Sequence, residues 1–104
     1  MAVPDYQSIM LPLLQHVADG QPHTLRDLID DLARFFKLTE EEQREVLPSG
    51  SQFTFTNRVS WARTYMKKAG LVDAPKRATV QITERGLDVL KQKPERIDVH
   101  FLKR

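Results

Sequence analysis

Between Phe53 and Val72 the chain reads FTFTNRVSWARTYMKKAGLV. No other stretch limits the fold so tightly. At about 100° per residue, Phe55, Val59, Ala62, Met66 and Ala69 fall within one arc. The segment therefore predicts a helix with one apolar face that must be buried. It should start between Phe53 and Asn57 and run to Ala69, where Gly70 offers a left-handed stop. The opposite side carries Asn57, Ser60, Thr64 and Lys68, with Lys67 and Trp61 on its flanks. Arg58 and Tyr65 share the boundary beside Trp61, and Arg63 lies on the other boundary. The rest of the chain must supply a core for the first surface and a use for the second.

Upstream, Tyr6, Ile9, Met10, Leu13, Leu14 and Val17 recur at helical spacing. Pro12 interrupts them, so the regular helix either starts near it or kinks there. Thr24 is a suitable N-cap for a second helix, with Asp27 in its first turn and a stripe through Leu25, Leu28, Ile29, Leu32 and Phe36. Thr39 and Glu42 are spaced as a capping box for a short, charged third helix. Val46 and Leu47 are expected to face inward there, before Pro48, Ser49 and Gly50 stop it, with Ser51 in the same turn-rich piece. Downstream, Leu71-Val72 opens a strand, Pro75 to Ala78 forms a basic turn, and Thr79 to Ile82 returns as a strand. Thr83 caps a last helix with Leu87, Val89 and Leu90 as apolar residues, and Pro94 ends it. Ile97, Val99 and Phe101 alternate in the tail, which reads as an edge strand or the start of a linker.

The expected fold is mainly α with a small β-hairpin. Its order is that of a winged helix-turn-helix with an accessory helix and a C-terminal helix. The insert from Leu38 to Gln52 makes the connection before the central helix longer than in the minimal motif. Residues 1–93 form the expected winged-helix domain, and 94–104 a tail.

The 104 residues suffice for one domain with one core, and 40% hydrophobic with 29% charged is a soluble, globular balance. The absence of cysteine removes disulfides, thiolate zinc sites and cysteine nucleophiles. No apolar run reaches the roughly 18–20 residues a bilayer needs, and MAVPDYQS lacks the features of a signal peptide. A cytoplasmic protein without a membrane partner is the expectation. Charge is unevenly placed. Thr24–Leu47 holds seven acids against four bases, whereas Thr54–Val80 holds six bases against Asp73 alone. Such asymmetry suits a chain that turns one face to a polyanion, although chance clustering on a solvated surface gives the same count.

The outward residues of the central helix suit DNA. Asn57 has the amide that bonds two atoms of adenine in the major groove, and Ser60 and Thr64 reach base edges or phosphates. Arg58, Arg63, Lys67 and Lys68 neutralise phosphates, and Lys76 with Arg77 at the hairpin tip adds a backbone or minor-groove contact. Plainer roles stay open. Trp61 could pack on a neighbouring helix, with Arg58 and Tyr65 stacked on it. Asn57 could be an N-cap. The two lysines could be a solvated helix end favoured by the dipole. No catalytic set stands out. His16, His23 and His100 lack metal-ligand spacing, and no Gly-rich phosphate loop or Glu-x-Lys pair occurs. The expectation is no enzyme, no cofactor and no metal.

Three segments, TNRVSWARTYMKKAGLV, the preceding LPSG and the following ITERGLDVL, resemble the N-terminal domain of Mrr-type restriction endonucleases, a modified-DNA-directed system. The likeness extends to MLPLLQHVADGQPHTLRDL, LTEEEQREVLPSG and KPERIDV, nearly the whole chain. It implies a winged-helix domain that binds double-stranded DNA, methylated in some targets. It also implies a separate C-terminal nuclease domain, absent here, toward which residues 94–104 would lead. A protein-interaction or homodimerisation module, with Trp61 and Tyr65 at the partner surface, is the alternative.

Overall fold

A computed structural model describes residues 3–50 and 52–103. Ser51 and Arg104, which belong to the expected turn and tail, lie outside the described residues, as do Met1 and Ala2. The described elements are α1 (Tyr6–His16), β1 (His23–Thr24), α2 (Leu25–Phe35), α3 (Glu40–Arg44) and α4 (Thr54–Lys68). They continue as β2 (Val72–Asp73), β3 (Thr79–Ile82), α5 (Glu84–Lys91) and α6 (Val99–Leu102). The protein is mostly helical, with a small three-stranded antiparallel sheet in the order β1-β3-β2.

The central helix settles as its periodicity requires. Phe55, Val59, Ala62 and Met66 are all buried, and Gly70 follows at φ +81°. The helix begins at Thr54 after Phe53, with no side-chain cap. Asn57 is thus inside the helix, its N–H bonded to the Phe53 carbonyl at 3.0 Å, and is not the N-cap. Its main partner is α1, which starts at Tyr6, well before Pro12. The Asp5 carboxylate accepts the Ser8 N–H at 2.7 Å and fixes that start. Pro12 lacks the N–H that the Ser8 carbonyl would have received, yet the helix runs through it. Burial of Ile9, Met10, Leu13 and Leu14 against the core holds it together.

Thr24 does two jobs. Its hydroxyl caps α2 by accepting the Asp27 N–H at 3.1 Å, and its backbone pairs with Thr79 in the sheet. β1 was not expected, because two residues carry no alternation to read. On its other side β3 pairs with β2, Val72 opposite Ile82, and β3 buries Val80 and Ile82 while Thr79 and Gln81 stay half-buried.

Three expectations change. Val46 is 52% exposed and does not face inward, and Leu47 is only half-buried. After α3 the chain becomes extended, and Val46 pairs with Phe53 in an isolated antiparallel bridge that directs it outward. The capping box itself is present, with Glu42 Oε1 accepting the Thr39 N–H at 2.8 Å. In α5 Leu87 is 37% exposed, and Gly86 is buried in its place. A Cβ on Gly86 would meet the Leu71 carbonyl oxygen at 2.3 Å, so the close approach of the residue just before β2 turns positions 86 and 89 inward and carries 87 off that arc. The tail is neither an edge strand nor a free linker at its start. Ile97 is fully buried, Asp98 caps α6, and the Val99 N–H donates to Gln7 Oε1 on α1 at 3.0 Å.

Candidate nucleic-acid interface

The ten residues singled out in the sequence fall into four groups. Asn57, Ser60 and Thr64 lie along the outer side of α4, each half-buried. The Thr64 hydroxyl donates to the Ser60 carbonyl at 2.9 Å, which removes its proton from use elsewhere.

On one flank sit Trp61 and Arg58. Trp61 is 47% exposed, and its ring lies 6.0 Å from that of Tyr65, tilted by 37°. Tyr65 in turn stacks on Tyr6 at 5.3 Å. The indole is therefore propped from below by two tyrosines while half of it meets solvent. Tyr6 is the residue that sequence reasoning missed here, because it comes from α1 and was counted only as part of that helix's stripe. Its hydroxyl is held above the ordinary tyrosine range by desolvation first and by the nearby Tyr65 second. Arg58 does not stack on the indole. Its guanidinium Nη1 donates to the Val3 carbonyl at 2.7 Å and the Pro4 carbonyl at 3.2 Å, pinning the N-terminal segment to α4.

On the other flank Arg63 is half-buried and Lys67 is exposed, while Lys68, also exposed, continues the outer line past Thr64 and borders a groove with Tyr65. Arg63 Nε is buried with no hydrogen-bond acceptor among the described residues. The fifteen residues of α4 include four bases and no acid.

Lys76 and Arg77 are exposed in the turn between β2 and β3. Thr79 clamps that turn, its Oγ1 accepting the Lys76 N–H at 3.0 Å and donating to the Lys76 carbonyl at 2.7 Å. Ala78 adopts φ 57°, and its carbonyl accepts the Leu25 N–H at 2.8 Å, which ties the turn to the start of α2. The basic tip is held, not loose.

The acidic region is committed differently. Backbone donation from Thr39 holds Glu42 below the usual carboxylate range, and the His23 ring does the same for Asp19, where the two lie 2.9 Å apart. His16 Nδ1 lies 2.8 Å from the Pro12 carbonyl, so the proton belongs on that nitrogen. Among the described residues no group of three His, Cys, Asp or Glu side chains is placed to hold a metal ion. No helix among them is long and apolar enough to cross a membrane.

Fold and surface together define a small helical domain that carries an acid-free, basic helix over a three-stranded sheet. Residues 6–92 match the family model of the Mrr N-terminal domain, and the chain belongs to that family. It is 29% identical over 96 residues to the type IV methyl-directed restriction enzyme EcoKMrr of Escherichia coli (strain K12). The match takes in 91% of this chain and 31% of that enzyme, so the chain spans about a third of the relative's length. No solved structure matches it.

Proposed function

We propose that this domain binds double-stranded DNA as a winged helix, with α4 lying in the major groove. The observation that carries the reading is the division of α4. One arc is buried, and the rest is polar, basic or aromatic, without a single carboxylate. A surface that only needed to be wet would mix signs, whereas a surface for a polyanion excludes acids. In this reading α2 precedes α4 as the first helix of the motif, and α3 is an insert between them. The β2–β3 turn is the wing. Asn57, Ser60 and Thr64 face base edges, with Trp61 beside them. Arg63, Lys67 and Lys68 face the strand backbone, and Lys76 and Arg77 add a second contact at the wing tip. Arg58 acts mainly as a bracket for the N-terminal segment.

EcoKMrr is by its name methyl-directed and a restriction enzyme. From that likeness we infer a preference for duplex carrying methylated bases. We also infer a longer cytoplasmic protein whose nuclease domain does the cutting, with no catalysis by this domain itself. The test is a fluorescence titration of duplex, plain and methylated, over a salt series. Lys68→Glu combined with Lys76→Glu should weaken binding and flatten the salt dependence. Unchanged affinity and salt slope would show that the wrong face has been chosen.

The half-exposed, propped Trp61 supports a second reading, a protein-interaction surface. Under it sedimentation shows a dimer, and Trp61→Ala breaks the dimer without changing duplex affinity.

A further inference from the structure

We propose that Arg63, Thr64, Lys67 and Lys68 form a seat for one phosphate group on the outer side of the last turns of α4. The proposal rests on the DNA-binding reading and adds where the strand backbone crosses the helix. These four residues alone line a shallow concavity of about 400 Å³. Arg63 Nε faces no acceptor, although it is buried. The rest of this half-buried guanidinium has no acceptor among the described residues either, so its outer N–H groups are left for a partner that the chain does not supply. Neither lysine is in an ion pair or hydrogen bond among the described residues.

The donor set selects the ligand. Thr64 has its proton committed to the Ser60 carbonyl, so it shapes the floor and donates nothing. What remains is a guanidinium and two ammonium groups, all donors and all cationic. An amide or a base edge presents donors of its own and suits such a set poorly. A phosphate presents only acceptors, and the guanidinium fork matches its oxygens. The negative end of the helix dipole, equivalent to about half a charge, opposes an anion here, but three full cations outweigh it.

The experiment follows the Arg63 Nε–H resonance in ¹⁵N-labelled protein. Inorganic phosphate is titrated against sodium chloride at matched ionic strength, then plain duplex, then a polyglutamate peptide. The expected result is a saturable shift with phosphate and with duplex, and none with chloride. No shift with either, or a shift with polyglutamate alone, overturns the seat. In parallel, Lys67→Ala and Lys68→Ala, both at exposed positions, should each lower the slope of log affinity against log salt by about one. If the wild type binds duplex and both variants keep the full slope, the seat is wrong and the DNA reading stands. If the wild type binds no duplex, the DNA reading falls. The seat then survives only if inorganic phosphate still moves the Arg63 resonance, and falls with it otherwise.

Discussion

The two flanks of α4 carry similar residues in opposite conditions. Arg58 is spent on the carbonyls of Val3 and Pro4, and the aromatic side chains beside it are stacked from Trp61 through Tyr65 to Tyr6. Among the described residues Arg63, five residues on in the same helix, finds no partner for its Nε, and Lys67 and Lys68 have none in the last turn. An arginine that completes a backbone hydrogen bond is part of the fold. An arginine left without an acceptor is available for something outside it. Composition cannot separate the two, since each is a basic residue on a helix boundary; the neighbour contributed by the distant N-terminal segment does.

The contrast can be broken in order of expected effect. Phe55→Ala, on the buried face of α4 in its first turn, should cost about 3–5 kcal/mol in urea unfolding, because it removes a large side chain and leaves a cavity. A loss under 1 kcal/mol would mean that α4 is not held by this face. Arg58→Ala should cost about 1–2 kcal/mol, at the low end for charge-assisted hydrogen bonds because the site is half-buried. Duplex affinity should fall little. A large loss of affinity with no loss of stability would reverse the roles given to the two flanks. Lys67→Ala should move stability by less than about 0.5 kcal/mol, as exposed substitutions do.

A smaller effect comes from pH. Asp5, held low chiefly by the Ser8 backbone N–H, and Glu42, held low chiefly by that of Thr39, both bind protons less readily folded than unfolded. The unfolded chain therefore takes up more protons as pH falls through the ordinary carboxylate range. The stability these caps contribute is present in full above that range and is lost below it. Urea midpoints should decline between about pH 5 and pH 3. Asp5→Asn, which keeps the cap and removes the titration, should make that decline shallower. An equal decline in the variant would assign the effect to other carboxylates.

Much of the fold was legible because it was local. The Thr24, Thr39 and Thr83 caps, the Gly70 stop and the buried arc of α4 are set by neighbours within a turn or two. What escaped was set by distant neighbours. β1 is only two residues long and exists because β3 comes to it. Val46 turns outward because Phe53 pairs with it, and Leu87 because the Leu71 carbonyl crowds Gly86. The alternation of Ile97, Val99 and Phe101 suggested a strand, yet Asp98 capping and the Gln7 contact make a short helix of its second half. The site followed the same rule. The outer side of α4 was readable from its period, whereas the separate conditions of Arg58 and Arg63 needed the tertiary contacts.

The hydrogen bond from Val99 to Gln7 has a consequence for engineering. It joins the first turn of α1 to the first turn of α6, so two segments 92 positions apart in sequence are held side by side. A domain tied in this way can be spliced into a surface loop of a host protein with both junctions side by side. Its grafting would ask little of the host's own geometry, and the basic helix would travel with it as a cassette.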